Sequence, residues 1–177
     1  MTDNQITILK TALDWTKAEM VSSACFVFFG LIFIGASICF WQFGKTDTAK
    51  AYIIPLLVTG SLLVVLGVGL LLSNQFRLSG FPDAFESDYI AFIAAEIERA
   101  SKTIKSYETA IHIVFPLIIL VSVILLFFMK SPIWQASLIA TIAMIAVIAI
   151  IDSNAKARMA IYHDELITYK RTLSVDG

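Results

Sequence analysis

The chain has 177 residues, 58% of them hydrophobic, a mean hydropathy of +0.83 and a formal charge of −1. That composition excludes an ordinary soluble domain. The near-neutral charge, with no basic cluster to neutralise several phosphates, excludes nucleic acid as a partner.

Residues 1–19 hold Asp3, Asp14 and Glu19 beside Lys10 and Lys17. Neither this charge pattern nor the long apolar run behind it fits a cleavable signal. Ile6, Leu9, Leu13, Thr16 and Met20 recur three and four apart, the pattern of a cytoplasmic amphipathic helix.

Four stretches then carry no Asp, Glu, Lys or Arg: 20–44, 51–76, 109–129 and 131–151. A hydrocarbon layer roughly 30 Å thick needs about 20 apolar helical residues to cross it. The expected fold is therefore an all-α integral membrane protein with four transmembrane helices, at 20–44, 51–76, 109–129 and 132–151. Cys25 and Cys39 both fall in the first span. They lie about 21 Å apart along one helix, too far for a disulfide with each other, and read as small apolar residues.

The connections are of two kinds. Gly44-Lys45-Thr46-Asp47-Thr48 and Lys130-Ser131-Pro132 are tight turns, with Ser131 and Pro132 suited to start a helix. Short turns make antiparallel neighbours, so the spans pair first with second and third with fourth, as two hairpins. Between the second and third spans, Ser79-Gly80-Phe81-Pro82-Asp83 is the expected break. Asp83 should start a helix over 83–108 that runs on into the third span, bent only at Pro116. Residues 152–173 should extend the fourth span in the same way. The stripes Tyr89, Ile93, Ile97, Ala100, Ile104, Tyr107, Ile111 and Met159, Tyr162, Leu166, Tyr169, Leu173 would pack as a cytoplasmic stalk. Glu96, Glu98, Arg99 and Lys102 should face water.

Orientation follows from the basic residues. Lys10, Lys17, Arg77, Arg99, Lys102, Lys105, Lys156, Arg158, Lys170 and Arg171 lie on the side of the termini; only Lys45, Lys50 and Lys130 lie on the other. Both termini are then cytoplasmic, as in a bacterial inner membrane protein, and Trp41 and Trp134 fall at the outer interface. Gly60, Gly67 and Gly69, with Ala136, Ala140 and Ala143, mark close helix contacts.

Chemistry is sparse. The spans hold no Asp, Glu, Lys or Arg, which counts against a proton-coupled transporter. No nucleotide, zinc-hydrolase or serine-hydrolase motif occurs, so no enzyme activity and no cofactor is expected. Measured from Ser131, His112 is 19 residues along the third span and Asp152 21 along the fourth. With Glu108 one turn from His112, the three form a candidate cluster at the inner mouth, able to hold a divalent cation or to titrate as a switch. The alternative is a structural cluster in which Glu108 pairs with Lys156. Glu19 and Arg77 should form an ion pair, and His163-Asp164-Glu165 reads as a solvated face.

The expected function is a non-enzymatic homo-oligomer in the lipid bilayer, a channel or transport-related pore. The alternative is a scaffold or signalling subunit that recruits a protein. Ile97, Ile104, Tyr107, Tyr162, Leu166 and Tyr169 are the candidate oligomer or partner contacts.

Overall fold

The computed structural model describes residues 3–173. These residues are almost wholly helical, without a strand. They form α1 (Asp3–Phe43), a short α2 (Asp47–Ala51), α3 (Ile53–Ser87), α4 (Tyr89–Thr109), a π-helical turn (Ala110–Val114), α5 (Phe115–Phe128) and α6 (Pro132–Leu173). Four continuous or near-continuous helical rods result, at Gln5–Phe43, Asp47–Ser87, Tyr89–Phe128 and Pro132–Leu173, each long and apolar enough to cross a membrane. At 1.5 Å per residue a rod of this size is about 60 Å long, twice the thickness of a hydrocarbon layer. Each therefore has an apolar half and a polar half. The polar halves of α1, α3 and α6 gather with α4 into what we call the head.

In the apolar half, α1 and α3 touch backbone to backbone. A Cβ added to Gly60 would lie 2.7 Å from the Gly30 carbonyl oxygen, and one added to Gly67 would lie 2.8 Å from that of Ser23. The contacts fall along α3 as they rise along α1, so the two helices run in opposite directions. Ser37 Oγ donates to the Ile53 carbonyl at 2.7 Å, near the turn. Phe26, Leu63 and Ile151 fill the space between α1, α3 and α6. Of the small residues expected at contacts, Ala136 and Ala140 are buried, whereas Gly69 faces open space and Ala143 is exposed. Among the described residues α5 touches no helix but α6 and its own π turn. Cys25 and Cys39 are free thiols.

The head has a separate core. Ile8, Ala12 and Trp15 of α1 meet Phe81 and Phe85 of α3, Phe92, Ile93 and Ala100 of α4, and Met159, Tyr162 and Leu166 of α6. The stalk stripes thus pack on each other inside one chain. On α1 the expected stripe lies at the edge of the buried side: Leu9 and Leu13 pack half-buried on this core and Thr16 is buried, but Ile6 is exposed and Ile8, Ala12 and Trp15 point inward.

Two connections differ from expectation. Ser79–Asp83 is not a break, since α3 continues through Gly80 and Pro82 to Ser87. Pro82 removes one backbone donor, but Phe81 and Phe85 on either side of it are buried in edge-to-face contact with Phe92, and this burial holds the turn helical. The chain breaks at Asp88, whose extended backbone lets Oδ1 accept from the amides of Ile90 and Ala91 at 3.1 and 3.0 Å. Asp88, not Asp83, is the N-cap. The irregularity expected at Pro116 takes the form of the π turn just before it, where a widened ladder absorbs the missing amide. The two short turns match their residues. Gly44 closes α1 through its amide to the Phe40 carbonyl, Thr46 Oγ1 caps α2, and Pro132 opens α6.

Candidate functional site

Between the two cores lies a chamber of about 180 Å³ whose lining mixes polar side chains with apolar ones such as Phe26, Leu70 and Met159. Trp15, Glu19, Ser22 and Ser23 of α1 face it, with Asn74 and Arg77 of α3, Arg99, Thr103 and Tyr107 of α4, and Asp152 of α6. The helices themselves dictate the position. Glu19, Arg77 and Asp152 are the charged residues nearest the ends of three apolar stretches, so packing the rods side by side brings them to one level.

Most of the charge around the chamber is matched. The Arg158 guanidinium donates from Nη2 to Glu19 Oε1 at 3.0 Å and to Ser22 Oγ at 2.5 Å. Arg99 binds Glu96 in a two-pronged pair, its Nε donating to Oε1 at 2.8 Å, and the Tyr162 hydroxyl donates to Glu96 Oε2 at 2.9 Å. The Arg99 guanidinium lies 4.5 Å from the centre of the Trp15 ring. Trp15 in turn stacks on Tyr162, with ring centres 4.9 Å apart. Asn74 Nδ2 donates to Ser23 Oγ, and Ser23 Oγ to the Glu19 carbonyl. Arginine suits such pairs because its planar fork satisfies a carboxylate with two bonds.

Two ions are left over. Neither Arg77 nor Asp152 enters a hydrogen bond or ion pair among the described residues. Both lie just beyond the expected spans, and burial acts on both. It pushes the Asp152 carboxyl up to about 6, helped by the negative Glu19. It pulls the Arg77 guanidinium down, helped by the positive Arg99. Burial, with the charges of Glu19 and Asp152, raises the Tyr107 phenol to about 12, which keeps it a hydrogen-bond donor. The buried indole Nε1 of Trp15 has no partner.

The residues singled out from sequence are dispersed. Glu108 pairs with Lys156 at 3.2 Å on the surface. His112 is exposed on the π turn, its Nδ1 3.0 Å from the Glu108 carbonyl oxygen. Asp152 turns into the chamber instead. Among the described residues no three His, Cys, Asp or Glu side chains are grouped to hold a metal ion. Counting from the turn gave the right depth but said nothing about direction around each helix axis.

Glu19 pairs with Arg158 rather than Arg77. Glu96 and Arg99 face inward; only Glu98 and Lys102 form the expected solvated pair, at 2.6 Å. Tyr162 and Leu166, nominated as partner contacts, are 2% and 0% exposed and belong to the head core. Ile97, Ile104 and Tyr169 pack half-buried against that core, and Tyr107 lines the chamber. Asp164 and Glu165 are solvated, and His163 is half-buried beside Asp164 at 3.6 Å.

Sequence reasoning missed Trp15, Asn74 and Arg158. Trp15, Glu19 and Ser22 do stand four and three apart, a polar continuation of an inward face that the periodicity of apolar residues alone passes over. No protein-family model matches this chain, and neither a curated protein nor a solved structure matches it.

Proposed function

We propose that this chain is a polytopic integral membrane protein whose four transmembrane helices form two antiparallel hairpins, with the head and both termini in the cytoplasm. It acts without enzymatic chemistry, as a homo-oligomer in the bacterial inner membrane, in transport: a channel or a related pore. One observation carries the reading. Phe26, Leu63 and Ile151 close the interior of a single chain, while α5 leaves Leu117, Leu120, Ile124 and Phe127 uncovered. A route across the bilayer then needs several copies around an axis, lined by apolar side chains and opened by wetting. The uneven count of basic residues supports the orientation.

Native mass measurement of the detergent-solubilised particle, followed by recordings in planar bilayers, tests this. Three or more copies with unitary conductance are expected. A monomer that stays silent in bilayers overturns the reading.

A second reading, the scaffold, rests on a groove of about 630 Å³ between α1 and α6 of the head, walled by Ile8, Ile161, Asp164, Glu165 and Tyr169. It expects a stoichiometric protein partner in native membranes that is lost on Ile161→Glu substitution. Retention of that partner by the variant removes the support.

A further inference from the structure

We propose that the chamber between the head and the apolar half binds a small zwitterion, its anionic group held by Arg77 and its ammonium group by Asp152. The argument is one of charge matching. Glu19 is answered by Arg158, and Glu96 by Arg99 and Tyr162. What remains facing the cavity is one guanidinium on α3 and one carboxylate on α6, unpaired with each other or with anything else described. Half-buried charges without partners are less favourable than paired ones. A lone anion would relieve Arg77 but meet Asp152 and Glu19. A lone cation would relieve Asp152 but meet Arg77 and Arg99. Only a ligand that carries both signs satisfies both walls.

Size narrows the class further. A space of about 180 Å³ is below the range of roughly 300–1,000 Å³ typical of pockets for drug-sized molecules. It admits something with the bulk of a few water molecules, such as a small amino acid or the tip of a phosphoethanolamine headgroup. A neutral donor, the Tyr107 hydroxyl, belongs to the same cavity wall. Charge-assisted bonds from a guanidinium and a phenol to a carboxylate or phosphate are short and strong.

The zwitterion has two sources, a free amino acid or an ethanolamine lipid in the inner leaflet. The lipid source rests on the membrane placement proposed above; the free source does not. The full chain is purified in detergent and titrated calorimetrically with glycine and with O-phosphoethanolamine. In parallel, lipid retention is counted by native mass spectrometry with phosphatidylethanolamine, phosphatidylglycerol or phosphatidylcholine added.

Saturable binding of either free probe, or preferential retention of the ethanolamine lipid, supports the site and identifies its source. Arg77→Gln and Asp152→Asn should each weaken that binding about tenfold or more, and Arg77→Lys should recover part of it. Arg77→Lys also serves where Arg77→Gln does not fold. Binding that survives both neutral variants overturns the proposal. So does phosphatidylglycerol held as well as the ethanolamine lipid and held more tightly by Asp152→Asn, which marks a plain anion site. No binding of any probe to a folded, monodisperse protein overturns it too, leaving the chamber to water.

Discussion

The head and the apolar half are built from the same rods yet hold together by opposite means. The apolar half brings backbones into contact through Gly30, Gly60 and Gly67, and its larger side chains mostly point outward. The head keeps its backbones apart with Trp15, Phe81, Phe85, Phe92 and Tyr162, and satisfies buried ions inside that aromatic core. Where surroundings are apolar, burying more apolar surface adds little and close van der Waals approach must serve. Where water surrounds the helices, removing large apolar groups from it is the main driving force. One helix therefore changes its packing rule partway along, near Glu19 on α1 and Asp152 on α6.

The largest effect that would break this contrast comes from the head. Glu96→Ala strands the Arg99 guanidinium and the Tyr162 hydroxyl, and should cost about 3–5 kcal/mol, as for other buried pairs broken on one side. Thermal unfolding followed by circular dichroism should show a large drop in midpoint. A loss no greater than that of a surface substitution would show the network to be dispensable.

Next is Gly60→Ala, whose new methyl meets the Gly30 carbonyl oxygen at 2.7 Å and Ile34 Cγ1 at 2.9 Å. Pushing α1 and α3 apart should cost about 1–3 kcal/mol. Gly69→Ala, with nothing within 4 Å of the added carbon, is the control and should be neutral or slightly stabilising through helix propensity. Equal effects at the two sites would dissolve the idea of a close backbone seam.

Asp152→Asn is smaller and depends on pH. The folded carboxyl is raised from 3.8 to about 6, so the folded chain holds the proton more tightly than the unfolded one. Wild-type stability from this group is present below about pH 4 and is lost as pH rises through 6. The Asn variant lacks that loss. Its midpoint should match wild type near pH 4 and exceed it at pH 7.5 by the equivalent of about 1 kcal/mol, after allowance for partial exposure. A gain at pH 4 that vanishes at pH 7.5 would invert the assignment. Smallest is Glu98→Ala, on the solvated side of α4, which should leave the midpoint unchanged.

What could be read from the residues follows the same divide. The rods, the two short turns and the existence of a packed head were legible, because uncharged runs and three-four periodicity are local signals. The Glu108–Lys156 pair came out as one of two weighed alternatives. The break at Asp88 was hidden because Gly80 and Pro82 carry stronger local signals, and only contacts of Phe81 and Phe85 with Phe92, distant in the rod sense, overrule them. The inward turn of Glu96 and Arg99 was hidden for a related reason. A charged residue is normally solvated, and the partner that brings Glu96 inside, Tyr162, is 66 positions away. The chamber depends on how four helices are rotated about their axes, which no single segment encodes.

The placement of Trp15 has a practical consequence. Its indole is sandwiched by a guanidinium and a phenol ring, whereas Trp41 and Trp134 are largely uncovered at the far end of the rods. With Trp41 and Trp134 replaced by Phe, the chain would carry a single tryptophan whose emission wavelength and quenching, excited selectively over the tyrosines, report the coming together of α1, α4 and α6. Stopped-flow mixing could then time assembly of the head separately from pairing of the apolar halves.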